Sequence, residues 1–135
     1  MTSSPYSALD TAIHSRLTGG TALITEIGGT AIYHGYAPEK QTLPFVVWSH
    51  AAGGAENLTP RASVAEVIYI RAYAETAKKA AAIDKQVAAL MESTLTVTGW
   101  SNYWLAREDE YFLPETDEAG KRTWSCGANY RVRLD

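Results

Sequence analysis

The sequence predicts an α+β fold, with two principal helices packed on one face of a mainly antiparallel sheet and a long inter-strand loop. Three observations predict it. Lys121–Asp135 alternates apolar and polar residues, which is typical of a strand with one buried and one solvated face. Val64–Ala74 is the longest run of β-branched and aromatic residues, and an amphipathic segment follows it directly. With 135 residues, 46% apolar and 20% charged, the chain forms a single domain, 1–135, and is not a disordered, collagenous or coiled-coil protein.

The first element is a helix that Ser4 caps and that Pro5 begins, where a missing N–H costs nothing. Its apolar residues recur at spacings of three and four and form one stripe: Tyr6, Leu9, Ile13 and Leu17. Gly19-Gly20 ends this helix. Thr21–Ile27 fits either a strand or two helical turns, because a short apolar run does not distinguish them. A short extended piece over Ala31–Tyr36 follows.

Two strands and a loop are predicted in the middle of the chain. Pro44–His50 and Val64–Ala74 have strand composition, and the second is apolar on both faces, which is typical of a central strand. Alternation places Glu66 on the same face as Ile68 and Ile70. Ala51–Ser63 is small and polar and contains Gly53-Gly54 and Pro60, so we expect a 13-residue loop that is mobile in the free monomer.

The C-terminal half begins with a helix that Thr76 caps and that extends to about Ser93. Its buried stripe comprises Ala80, Ile83, Val87 and Leu90. Three further strands follow, over Leu95–Trp100, Asn102–Phe112 and Lys121–Asp135. A polar turn over Glu115–Gly120 connects the last two.

No catalytic motif is present. The sequence lacks G-x-S-x-G, H-E-x-x-H, C-x-x-C and the phosphate-binding P-loop pattern. His14 lies four residues after Asp10, and an exposed i,i+4 pair explains it without a function. Nothing in the spacing brings His14, His34 and His50 together. We therefore expect no catalytic residue, no metal site and no cofactor.

Charge and cysteine content exclude further classes of protein. The net charge is −3, which argues against a generally basic nucleic-acid binder. The one cysteine, Cys126, excludes an internal disulfide framework and a cysteine-based zinc cage, and the reducing cytosol is the simplest compartment. We expect no secretion signal and no membrane span, because the apolar runs are short.

Two surface features remain. Six acidic residues lie within Glu108–Glu118, where a solvated hairpin tip is favoured over a catalytic carboxylate pair, and an acidic surface for a basic partner is compatible with that interpretation. Five aromatic residues lie within Trp100–Phe112, and a sheet covered on one face exposes part of such a set. Exposed aromatic patches usually mark protein contacts.

Two spaced motifs resemble a known family. Ile32-Tyr33-x-Gly35-x-Ala37-Pro38 and then Leu43-Pro44-Phe45-Val46-Val47-Trp48 resemble the signature of the tail-completion or tail-terminator proteins of long-tailed bacteriophages. Gly28-Gly29 precedes the motifs where that family has a Gly-Gly, and Arg131-Val132-Arg133 matches its late R-x-R. The resemblance covers nearly the whole chain and fits least well over residues 101–120.

The resemblance implies a structural virion protein without catalysis. In that family six copies form a ring that caps the tail tube, ends its polymerisation and joins the tail to the head connector or stopper, while genomic DNA passes through the lumen. We therefore expect a protein made in the host cytoplasm and located at the head-proximal end of a phage tail. The candidate interface residues are Gly53, Gly54, Glu56, Asn57, Arg61, Trp100, Tyr103, Trp104, Glu108, Asp109, Glu110, Glu115, Asp117, Glu118, Arg131 and Arg133.

Two alternatives stay open at this point. One is another ring of the head–tail joint, an adaptor or a stopper. The other is a small α+β enzyme or ligand-binding domain, which would need His34, His50 or the acidic residues to converge beside an apolar cavity.

Overall fold

The computed structural model describes residues 5–57, 62–116 and 120–135. Within these ranges the order of elements is α1 (Tyr6–Thr18), α2 (Thr21–Ile27), β1 (Ile32–His34), β2 (Phe45–Asn57), β3 (Ala62–Ala74), α3 (Ala77–Leu90), β4 (Thr96–Val97), β5 (Trp100–Thr116) and β6 (Arg122–Leu134). The strands form one sheet in the order β1-β2-β3-β6-β5-β4. The pair β1–β2 is parallel and the other pairs are antiparallel, so the predicted α+β class is confirmed.

The three helices cover one face of the sheet, and the core lies between them. Leu9, Ile13 and Leu17 of α1 are fully buried, as their spacing predicts. From the sheet, alternate residues of β3 and β6 point into the same core, including Ile68, Ile70, Tyr130 and Val132. Tyr130 is buried and Arg131 is not, which confirms the predicted alternation over Ala128–Leu134. Nearer the start of the strand the prediction is wrong for Ser125, which is buried although alternation places it on the polar face.

Local signals account for some of the helix ends. The Oγ1 of Thr76 accepts a hydrogen bond from the Lys79 backbone N–H at 3.2 Å, which confirms the predicted cap of α3. That helix ends at Leu90 rather than near Ser93, and Arg16 of α1 donates to the carbonyls of Leu90 and Ser93 just beyond it. The ambiguous segment Thr21–Ile27 is a helix, which ends at Gly28 in the left-handed conformation (φ 84°).

The prediction of a loop over Ala51–Ser63 is wrong for most of these residues. Residues up to Asn57 continue β2, and β3 begins at Ala62, so the two strands form one long antiparallel hairpin. Small residues and a Gly-Gly pair are typical of loops, but backbone pairing with a strongly β-forming partner overrides that preference. The pairing register shifts between His50 and Ala52, and this bulge changes which residues of β2 face the helices.

The remaining strands differ from the prediction in length. Leu95–Trp100 holds only the two-residue β4 and then a turn at Gly99 (φ 82°), and β5 runs on to Thr116, past the predicted end at Phe112. Glu115 therefore belongs to a strand rather than to the polar turn. Ser4, Arg61, Asp117 and Glu118 lie outside the described residues. No helix of the described residues is long and apolar enough to cross a membrane.

Candidate functional site

The strand β5 carries seven of the thirteen candidate interface residues that the structure describes, and these seven lie near its two ends and at its middle. Tyr103 and Trp104 lie near its start, and Phe112 and Leu113 lie near its end, each about half exposed. The Arg133 guanidinium lies 5.5 Å from the centre of the Trp104 ring, and the Tyr103 hydroxyl is 2.8 Å from the Ser63 hydroxyl. Trp100 is partly buried and lines a groove of about 730 Å³ between α1 and β4.

Of the predicted acidic hairpin tip, Glu108, Asp109 and Glu110 lie instead in the irregular middle of β5. Glu115 lies near the end of β5, and Asp117 and Glu118 lie outside the described residues. The pairing with β6 shifts between Arg107 and Glu110, so Glu108 and Asp109 form a bulge. Glu108 accepts from Arg131 at 3.0 Å, and Glu110 accepts from Arg107 at 2.8 Å. These pairs lie within one chain, so part of the acidic surface is neutralised by the protein itself.

Arg107 also connects the sheet to α3. Its guanidinium donates to both carboxylate oxygens of Asp84, at 2.6 and 3.2 Å, and to the Tyr130 hydroxyl at 2.6 Å. Burial raises the pKa of Tyr130 to about 12. We call Asp84, Arg107, Glu110 and Tyr130 the arginine cluster. Bidentate hydrogen bonds between an arginine and a carboxylate are among the strongest side-chain hydrogen bonds in proteins. The arginine cluster therefore holds α3 against the sheet.

The face of the sheet opposite the helices carries a second group of arginine and aromatic side chains. In the pairing register Gly127 of β6 lies between Arg71 of β3 and Tyr111 of β5. A Cβ at Gly127 would lie 2.1 Å from the Ile70 carbonyl oxygen, so no larger residue fits. Arg71 reaches across the glycine and lies 4.5 Å from the centre of the Tyr111 ring. This face is therefore ordered by stacking although none of the described helices covers it.

A third group forms where α1 meets the parallel strands, and we call it the histidine cluster: Asp10, His34, His50 and Glu66. Because β1 pairs with β2 in parallel, His34 lies beside Trp48, and its ring stacks on the indole at 4.1 Å and 4°. His50 follows two residues later on the same face of β2. The expectation that nothing brings the histidines together is therefore wrong for His34 and His50.

Asp10 of α1 faces both rings. Its carboxylate lies 2.5 Å from Nε2 of His50 and 3.9 Å from Nδ1 of His34. One donor atom from each of the three residues lies within 4.8 Å of the others, so they could hold a metal ion. His14 is not in this set. Rather than pairing with Asp10 as predicted, it accepts from the Trp48 indole N–H at 3.4 Å.

Glu66 lies behind His50 and is 1% exposed. Its Oε2 is 3.8 Å from Nδ1 of His50, and neither atom has a hydrogen-bond partner among the described residues. Burial raises the pKa of Glu66, while His50 acts in the opposite direction. A Cβ at Gly53, opposite Glu66 on β2, would lie 1.8 Å from that Oε2. Gly53, a candidate interface residue, therefore makes room for a buried carboxylate.

The fold of the chain is similar to that of solved structures. The chain matches a chain from the structure described as the virion of a native gene transfer agent particle, with a TM-score of 0.72, 17% identity and 98% of each chain covered. The whole domain has that fold. No protein-family model and no curated protein matches the sequence. At this identity the likeness defines the architecture and not the residues of a site.

Most of the site residues that the sequence singled out are thus spread over β2, β5 and β6 rather than gathered in one pocket. Gly54, Glu56 and Asn57 lie on the hairpin strand β2. Glu115 accepts from the Ser125 hydroxyl at 3.1 Å. Among the described residues, the histidine cluster is the group whose side chains could hold a metal ion, and sequence spacing missed it because α1, β1, β2 and β3 each contribute one residue. Glu66 alone gave a signal, as a carboxylate on an apolar strand face.

Proposed function

We propose that the protein is a structural component of a phage-like virion, a tail-terminator-type ring protein that caps the tail tube and joins it to the head connector or stopper. The observation that carries this proposal is the shared fold, over 98% of both chains, with a chain of a gene transfer agent virion. The sequence resemblance to tail terminators supports it independently, because that resemblance does not depend on coordinates.

The motifs that carry the resemblance build a distinct part of the fold. Ile32–His34 form β1, and the second motif starts β2, with Ile32 beside Val46. The Gly35 N–H donates to the Trp48 carbonyl at 2.8 Å, and the Tyr33 hydroxyl donates to Gln41 at 2.6 Å. The spacing of the two motifs therefore corresponds to a parallel β1–β2 crossover without a helix, which is an uncommon connection.

A closed ring needs two different surfaces on each copy, one for each neighbour. The two ends of β5 offer such a pair. Tyr103 and Trp104 form the first patch, and Phe112 and Leu113 form the second. About ten residues of extended strand, roughly 30 Å, separate them. In the proposed ring, the first patch of one copy packs against the second patch of the next.

The proposed partners follow from the position in the virion. One edge of the ring meets the tail tube protein and the other meets the head connector or stopper, while genomic DNA passes through the lumen without sequence-specific binding. A net charge of −3 per copy suits a channel in which DNA must slide. The proposed role is structural rather than catalytic.

The test is the oligomeric state of the purified chain, alone and with tail tubes. Native mass spectrometry and electron-microscopy class averages are expected to show closed rings of 14.7-kDa subunits. Trp104→Ser and Leu113→Ser are each expected to abolish rings while leaving circular dichroism unchanged. Tyr36→Ser is the matched control, because Tyr36 is 85% exposed and lies in neither patch.

Mixing the two patch variants tests the head-to-tail geometry. Each variant keeps one intact patch, so the mixture is expected to form a heterodimer and no ring. A chain that stays monomeric with tail tubes present would overturn the proposal. Rings that survive both variants would remove the ends of β5 from the interface.

A further inference from the structure

We propose that Asp10, His34 and His50 form a binding site for a divalent first-row transition metal ion, with Glu66 as the positioning residue behind His50. The proposal does not depend on ring formation. It rests on the convergence of three donor atoms and on two buried atoms, His50 Nδ1 and Glu66 Oε2, that have no hydrogen-bond partner among the described residues.

The distances suit a metal with short bonds. Zinc and similar ions hold imidazole nitrogens and carboxylate oxygens at about 2.0–2.2 Å, which places the ligand atoms roughly 3.3 Å from one another. In the structure the three donor atoms lie within 4.8 Å of one another. His34 is the most exposed of the three side chains, at 42%. Small rotations of His34 and Asp10 would lengthen the 2.5 Å Asp10–His50 contact and shorten the 3.9 Å Asp10–His34 distance toward that spacing.

The donor types select the metal. Two imidazoles and one carboxylate favour zinc, cobalt, nickel or iron(II) over magnesium and calcium, which prefer oxygen ligands. Three protein ligands leave a coordination position for water. The rings are also pre-oriented, since His34 stacks on Trp48 and the Tyr6 ring meets His50 edge-on at 4.9 Å.

Glu66 supplies the independent observation. Metal-bound histidines usually donate their second ring N–H to a carboxylate, which fixes the tautomer and the orientation of the ring. If Nε2 of His50 binds the metal, Nδ1 carries the proton and faces Oε2 of Glu66 at 3.8 Å. The Asp10–His50 hydrogen bond by itself leaves both of these buried atoms unsatisfied.

The two carboxylates of the histidine cluster also favour a bound cation. Among the described residues, the ion-pair partners of Asp10 and Glu66 are histidines, and no lysine or arginine pairs with either carboxylate. A divalent cation would balance the charges of Asp10 and Glu66, as the Arg107 guanidinium balances the carboxylates of the arginine cluster. Its ligands come from α1, β1 and β2, so the ion would hold the first helix and the edge strand β1 against the sheet.

The test uses the full, tag-free chain after treatment with a chelator. Titration calorimetry with zinc chloride is expected to give one ion per chain, and magnesium chloride none. Cobalt(II) is expected to show the visible absorption bands of a nitrogen and oxygen site. Zinc at about a hundredfold excess over its dissociation constant is expected to raise the melting temperature by roughly 5–10 °C, and EDTA is expected to reverse the shift.

Variants assign the ligands. His34→Gln, His50→Gln and Asp10→Asn are each expected to weaken zinc binding by roughly a hundredfold or more, and His14→Gln, the nearby control, to leave it unchanged. Glu66→Gln is expected to weaken binding roughly 10–100-fold and to shift the cobalt spectrum, which a purely structural role would not do. Folding of each variant is checked by circular dichroism in EDTA, and the exposed His34→Gln carries the test if Asp10→Asn does not fold.

Zinc bound equally by wild type and a His34→Gln/His50→Gln variant would overturn the proposal, as would the absence of stoichiometric binding. A loss of binding in His14→Gln equal to that in His50→Gln would show that a different set of residues binds. None of these outcomes bears on the ring, which is measured separately.

Discussion

The arginine cluster and the histidine cluster both place carboxylates between a helix and the sheet, but they differ in how those charges are balanced. Around Arg107, every hydrogen bond to Asp84, Glu110 and Tyr130 is short, between 2.6 and 3.2 Å. Around His50, the Glu66 carboxylate and the His50 Nδ1 face each other at 3.8 Å. A cluster that contains its own cation stabilises the fold, whereas a cluster without a cation can bind an ion from solution.

The largest expected effect is in the arginine cluster. Asp84→Ala leaves the Arg107 guanidinium beside the core without its bidentate partner, so it is expected to lower the free energy of unfolding by about 2–3 kcal/mol. The loss stays below that of a fully buried pair, because the Arg107 side chain is 23% exposed and keeps Glu110. Chemical denaturation measures it. Lys85→Ala, exposed on the same helix, is the control, and equal losses in both variants would contradict the assigned role.

A smaller loss is expected where β2 makes room for Glu66. Gly53→Ala introduces a Cβ 1.8 Å from Oε2 of Glu66, so it is expected to cost about 1–2 kcal/mol from overpacking. Gly29→Ala is the control, because a Cβ there meets nothing within 4 Å. A double-mutant cycle with Glu66→Ala is expected to recover most of the loss. Additive effects in that cycle would show that the Gly53→Ala loss does not come from contact with the Glu66 carboxylate.

Removing the charge of Glu66 is expected to change stability by less than about 1 kcal/mol in EDTA, in contrast to Asp84. The folded protein holds the pKa of Glu66 above its ordinary value of 4.5, so the folded state binds the proton more tightly. The contribution of Glu66 to stability therefore falls as pH rises from about 4.5 through the folded pKa. Glu66→Gln removes that fall, so thermal melts are expected to favour the variant more at pH 7 than at pH 4.5. The opposite trend would mean that ionised Glu66 is stabilised in the folded protein.

Cys126 lies next to the arginine cluster, and the effect expected there is on the reactivity of its thiol rather than on stability. Burial, and then Asp84, raise the pKa of its thiol to about 12, so the thiol stays protonated at pH 8. A thiol-reactive disulfide reagent is expected to label the native protein at least a hundredfold more slowly than the protein in guanidinium chloride. Asp84→Ala is expected to speed the labelling and Lys85→Ala to leave it unchanged. Rapid labelling of the wild type would show that α3 opens readily.

Hydrophobic periodicity determined the helices α1 and α3, the strands β3 and β6, and the α+β class, because each of these elements buries a face that the residues themselves define. It failed for residues 51–57, where small residues become a strand through pairing with β3. It also left Thr21–Ile27 open, since seven apolar-rich residues suit either structure. In both places the deciding energy comes from a partner distant in sequence.

The candidate sites divide in the same way. The sequence by itself determined that β5 is rich in aromatic and acidic residues and that Glu66 lies on an apolar strand face, because alternation along one strand is a local property. Only the tertiary structure decided that His34 and His50 meet Asp10, since the parallel pairing of β1 with β2 sets their separation. It also decided that Glu108 and Glu110 pair with arginines, because two bulges set the register of β5 on β6. The sequence specifies the type of each side chain. The distance between residues that are remote in sequence depends on strand order and register, and both depend on the packing of the whole domain.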